Sequence, residues 1–186
     1  IDFTGSDNIA ARGTYILKKF SVTADSAGPI GLYKFTFGVS TSSESLTDSG
    51  YYLYESDSSS SLGNVIAKGS DITVTHETGQ VAILEVYLDV NDDTTAAPAL
   101  EHRVIALGAT KYYTLRGYVT EDGTANNGSI STVFAGDPAF AATALEDTTA
   151  VEADAADDFI WSDLNFDLYS TSTATNMMGW FNGYRV

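Results

Sequence analysis

The 186-residue chain has no cysteine, two histidines, three prolines and nine lysines or arginines. The missing cysteine excludes disulfide stapling and thiolate chemistry. Nine cations against 25 Asp and Glu give a net charge of −16 and a pI near 4.1. Nucleic acid and anionic membranes demand a basic face, so neither is an expected partner. No apolar run reaches the roughly 20 residues that a membrane-spanning helix needs. The 16 glycines stand singly, and no phosphate-cradling glycine loop is present.

The scarcity extends to catalytic groups. His76 and His102 fall in separate predicted strands, and no G-x-S-x-G motif accompanies them. Among 25 acids a carboxylate pair close enough for glycosidase chemistry arises by chance, so acid pairs carry no signal. The chain reads as a non-enzyme.

Forty-four per cent hydrophobic and twelve per cent aromatic residues are ample for a core. Tyr33, Phe35, Phe37 and Val39 alternate, which predicts a strand with one buried face. Leu84, Val86, Leu88 and Val90 do the same opposite Glu85, Tyr87 and Asp89, and Tyr113, Leu115, Gly117 and Val119 repeat the pattern. Further strands are predicted over 14–24, 51–55, 64–68, 72–76, 102–107 and 129–134, separated by Gly, Pro, Asp and Ser turns. Such spacing predicts an all-β, immunoglobulin-like antiparallel sandwich, with Phe35, Phe37, Leu84, Val86, Leu88, Leu115 and Val119 in its core. The Ser-rich stretch 40–61 reads as loop, strand, loop around Tyr51-Tyr52-Leu53-Tyr54.

The predicted organisation is an N-terminal segment (1–12), a sandwich body (13–137), an acidic Ala/Thr-rich linker (138–158) and an aromatic C-terminal segment (159–186). From Gly117 to Tyr184 there are eleven acids and no lysine or arginine, and both tryptophans lie beyond the linker. Trp161, Phe166, Leu168, Trp180 and Tyr184 are too many aromatic and apolar groups to stay exposed on a monomer. They either complete the sandwich in the same chain or dock on a neighbour by strand addition. Ile1 and Phe3 alternate like a short edge strand ahead of a polar stretch, and are the matching interface candidates at the other end.

Calcium is the one cofactor for which the sequence offers donors. Asp89, Asn91 and Asp93 place oxygens at alternate positions, but Thr94 and Leu100 stand where an EF-hand needs Gly and Glu. A polar turn after a strand accounts for the same residues. Asn127-Gly128-Ser129 is an N-glycosylation sequon that turn geometry also explains.

Three stretches carry a resemblance. Phe159-Ile160-Trp161-Ser162-Asp163, followed after a Ser/Thr-rich gap by Trp180-Phe181-Asn182-Gly183-Tyr184, resembles the F-I-W-S-D … W-x-N-G-Y ending of large exported surface proteins of ultra-small candidate-phylum bacteria. Residues 112–119 and 129–137 resemble the last two strands of the β-sandwich module before that ending, and 13–39 its opening strands. The resemblance implies an exported β-sandwich and transfers no catalytic residue.

The function expected is a structural subunit of an extracellular filament, pilus-like fibre or surface layer, a cell-surface homopolymer of copies of this chain. The chain opens at Ile1 without an initiator Met, which suggests a processed protein or a piece of a longer one. The alternative is an adhesin or carbohydrate-binding module that uses Tyr51, Tyr52, Tyr54, Tyr112, Tyr113 and Tyr118 as a stacking platform.

Overall fold

The computed structural model describes residues 12–42, 45–77, 81–88, 102–121, 129–136, 158–164 and 180–182. These form twelve strands: β1 (Gly13–Thr23), β2 (Ile30–Ser42), β3 (Ser45–Leu46), β4 (Tyr52–Ser56), β5 (Asn64–Lys68), β6 (Ile72–Glu77), β7 (Val81–Tyr87), β8 (Arg103–Ile105), β9 (Thr110–Glu121), β10 (Ser129–Phe134), β11 (Phe159–Ser162) and β12 (Trp180–Asn182). The only helical pieces among the described residues are two 3₁₀ turns, Asp48–Gly50 and Gly69–Asp71.

The strands build two packed antiparallel sheets, an all-β sandwich. One sheet runs β1-β9-β4-β5 with β3 beside β9; the other runs β12-β11-β2-β7-β6 with β8 and β10 also on β2. An immunoglobulin-like frame is visible in this order. Matched by chain order, β2, β7 and β6 take the places of strands B, E and D, while β4 and β9 take those of C and F. The first strand and β10 are exchanged relative to that frame: β1 lies beside β9, and β10 beside β2.

Two compact units divide the chain. The first comprises Ile1–Val22, Phe37–Val86 and Lys111–Phe134, and the second Thr23–Thr36, Tyr87–Thr110 and Ala135–Val186. In the first, Phe20 meets Tyr113, Phe134 and Phe37 at ring-centroid distances of 5.1, 4.7 and 5.9 Å, tying the sheets through one aromatic cluster. Gly117 keeps β9 bare where Leu17, Leu46 and Tyr51 crowd it; a Cβ there would lie 2.6 Å from Leu46 Cδ2. In the second, Phe35 stacks on Phe159 at 5.3 Å and Tyr33 meets Tyr87 edge-on at 5.8 Å. Offset and edge-on pairs of this kind add to the burial of the rings themselves.

All seven expected core residues are buried. The single-sided reading of the strand at 33–39 needs correction, because Lys34 and Thr36 are buried as well as Tyr33, Phe35 and Phe37. Buried Ile160 of β11 sits opposite Lys34, whose ammonium lies 5.6 Å from the centre of the Tyr87 ring. Both faces of β2 are thus out of water over this stretch.

Candidate assembly surfaces

Two lanes run along β2. Beside residues 37–42 lies β10, in unbroken register from Phe134 opposite Phe37 to Ser129 opposite Ser42. Beside residues 31–35 lies β11, with Phe159 opposite Phe35, Ile160 opposite Lys34, Trp161 opposite Leu32 and Ser162 opposite Gly31, shifted by a bulge after Ile160. Phe159, Ile160 and Ser162 are buried. Ser162 Oγ accepts the Leu164 N–H at 3.1 Å, closing a turn in which Leu164 takes a φ of 55°. On the far side, among the described residues, β12 pairs with β11 alone, and the half-buried Trp161 ring lies 5.1 Å from Phe181. Short strands at a sheet edge are sites where a further strand adds.

Gly31 makes room for this arrangement. A Cβ there would stand 2.7 Å from His102 Cδ2 and 3.0 Å from Leu164 Cδ2. Burial beside them lowers the His102 pKa below its usual value.

The second surface is on the five-stranded sheet. Tyr52 lies between Lys68 and Arg116 in the strand register, and Tyr54 between Val65 and Thr114. Directly opposed residues share a face, so these two rows, with the exposed Tyr118 two residues beyond Arg116, form one surface. Arg116 Nη2 donates to Thr14 O at 3.3 Å, and the guanidinium lies 5.9 Å from the Tyr54 ring centre. Thr114 also lines an open groove of about 530 Å³ with Lys19, Ser21, Ser59, Ser61 and Tyr112, over Phe20 and Tyr113. At its end Lys111 pairs with Asp57 at 2.5 Å and with Glu55 at 3.9 Å, and Glu55 accepts the Tyr113 hydroxyl at 3.0 Å.

These positions correct the proposed tyrosine platform. Tyr51 and Tyr113 point into the core, whereas Tyr52, Tyr54, Tyr112 and Tyr118 remain wholly or partly accessible. Burial, with the Asp48 carboxylate second, pushes the Tyr51 hydroxyl pKa up to about 12. A smaller cavity of about 200 Å³ is lined by Tyr51, Leu46, Val39 and His76. His76 is itself exposed and lies 2.9 Å from Asp48.

Of the other residues singled out in the sequence, Ile1, Phe3, Asp89, Asn91, Asp93, Asn127, Phe166, Leu168 and Tyr184 lie outside the described residues, and Trp180 is placed only as a β12 position. Among the described residues no three His, Cys, Asp or Glu side chains converge on a metal-sized site, and no helix is long and apolar enough to cross a membrane. The groove escaped sequence reading because it draws on β1, the β4–β5 loop and β9, which are distant in sequence and none of which carries a motif of its own. No family model and no curated protein matches the chain.

Proposed function

We propose that the chain is a structural subunit of an extracellular filament, pilus-like fibre or surface layer, whose copies join by strand addition through the aromatic C-terminal segment. The observation that carries this reading is the lane beside residues 31–35 of β2. It is filled by a four-residue strand that returns after residues 135–158, an acidic connection with no bulky aromatic anchor besides Phe140. Ladder bonds and the Phe35–Phe159 stack depend on sequence and register alone, so the same strand from a neighbouring copy fits the lane equally well. Exchange of an identical element is a low-cost route to association, and in open form it propagates a fibre. A net charge of −16 opposes association, so copies that assemble need a contact such as this one to offset it.

The experiment is negative-stain microscopy of the full chain and of a variant lacking residues 159–186, with circular dichroism of both. Regular fibres or lattices from the full chain, lost in a truncated protein that keeps its β signature, are expected. Dispersed full-length monomers at all concentrations would sink the proposal.

A second reading, a surface adhesin or carbohydrate-binding module, draws on Tyr52, Tyr54, Tyr112 and Tyr118 beside the hydroxyl-lined groove. Saturable binding of a neutral oligosaccharide by a strictly monomeric chain would favour it.

A further inference from the structure

The chain is strongly acidic, yet its few cations are unevenly placed. Lys18 and Lys19 lie on β1, Lys68 on β5, and Lys111 and Arg116 on β9, so the five-stranded sheet holds five of the nine. Lys18 is spent within the fold, its ammonium donating to Thr132 O of β10 at 3.3 Å. Lys111 is held by Asp57 and Glu55. Lys19 and Arg116 have no carboxylate partner among the described residues. Lys19 projects at the groove, and Arg116 lies against Tyr54 with its Nε buried and without a hydrogen-bond acceptor. Neutral sugar would leave these two cations unanswered. A carboxylate-rich strand would answer them, with Ser21, Ser59, Ser61 and Thr114 as hydroxyl partners for its backbone and side chains.

The chain itself contains such a strand. Residues 138–158 carry Glu146, Asp147, Glu152, Asp154, Asp157 and Asp158 with no lysine or arginine. The segment leaves from and returns to β2 of the seven-stranded sheet, with Ala135 N bonded to Thr36 O and Phe159 opposite Phe35. We infer that the groove and the adjoining Tyr54–Arg116 surface bind the acidic segment of a second copy of this chain. The inference rests on the assembly reading above and names a second contact for it: Lys19 and Arg116 against the negative connection.

The test uses a fluorescent peptide of residues 138–158 titrated with the full chain and followed by anisotropy. Saturable binding is expected, weakened roughly tenfold by Lys19→Glu with Arg116→Glu and several-fold by high salt, because rim charges are screened and set encounter. A peptide whose six acids are replaced by Asn or Gln should not bind. Melting curves monitor folding; Lys19→Gln, at an exposed side chain, gives a milder second variant, with weakening in the same direction. No peptide binding, or equal binding by the charge-reversed chain, overturns the inference. Polymers that form regardless would then leave the assembly reading standing. Binding in a chain that never polymerises would retain the contact and overturn the assembly reading instead. The chain's own segment is tested by neutralising its six acids. Tighter peptide binding with unchanged assembly would show the groove filled within one copy and contradict the role given to the second.

Discussion

The two lanes of β2 do the same structural job with different chemistry. Beside residues 37–42, β10 (Ser-Ile-Ser-Thr-Val-Phe) lines up six residues, buries Ile130 and Phe134, and leaves Ser129, Ser131 and Val133 exposed. Beside residues 31–35, β11 brings only four, of which Phe159, Ile160 and Ser162 are buried, and its register breaks once. Phe134 meets Phe20 at 4.7 Å and Phe37 at 4.9 Å, whereas Phe159 stacks on Phe35 at 5.3 Å. The first lane is anchored in a cluster drawn from both sheets. The second is short, apolar and attached through a long polar connection, which is the profile of an element that can change owners.

The largest effect should come from Val86→Asp. Val86 is fully buried on β7, the neighbour of β2 opposite β11, and an unpartnered carboxylate there should abolish the cooperative unfolding transition and with it both lanes. A soluble, folded variant by near-UV circular dichroism would show that the faces of this sheet are misassigned.

Next, Phe134→Ala should cost about 3–5 kcal/mol in denaturant titrations, within the range for large aromatic truncations. Phe159→Ala should cost less, about 2–3 kcal/mol, because it sits on a four-residue strand whose register breaks once and which can give way around the truncation. Phe159→Ala should nonetheless impair assembly more than Phe134→Ala does at matched folded fraction. Equal losses in both readouts would erase the distinction between a fixed lane and an exchangeable one.

The smallest effect is a pH slope. Burial lowers the His102 pKa, so the unfolded chain binds a proton more readily than the folded one. Stability from this group is therefore complete above pH 6.5 and declines as pH falls below it toward the folded value. Melting temperature should drop between pH 7.5 and 5.5 more in the parent than in His102→Gln, and parallel curves would remove His102 from the account.

Much of the body is legible in the sequence. Phe35, Phe37, Leu84, Val86, Leu88, Leu115 and Val119 alternate because one side of each strand faces the opposite sheet, and all are buried. β5 and β10 fall on the boundaries that turn residues suggested. Pattern alone failed where a third layer of information enters. Lys34 and Thr36 look like solvent-facing residues, yet both are buried, Lys34 with Ile160 of a strand distant in sequence opposite it. Tyr51 and Tyr113 look like a platform with their neighbours, yet alternation turns them inward. The two-residue β3 is too short to register as a pattern, and the exchange of β1 and β10 is a matter of sheet order, which periodicity does not encode. The groove joins three distant segments through hydroxyls and one lysine, residue types that also populate any loop.

The central claim is that β11 passes between copies. The absence of native cysteine allows a clean measurement. One preparation carries Lys34→Cys and another Ile160→Cys, residues opposed in the β2–β11 register and therefore within the separation a disulfide spans. The two are mixed under assembly conditions and oxidised. Strand exchange predicts covalent heterodimers joining a Lys34→Cys chain to an Ile160→Cys chain, in yield rising with polymer content. Polymers that yield no such heterodimer, while the Lys34→Cys/Ile160→Cys double variant closes within single chains, would contradict it.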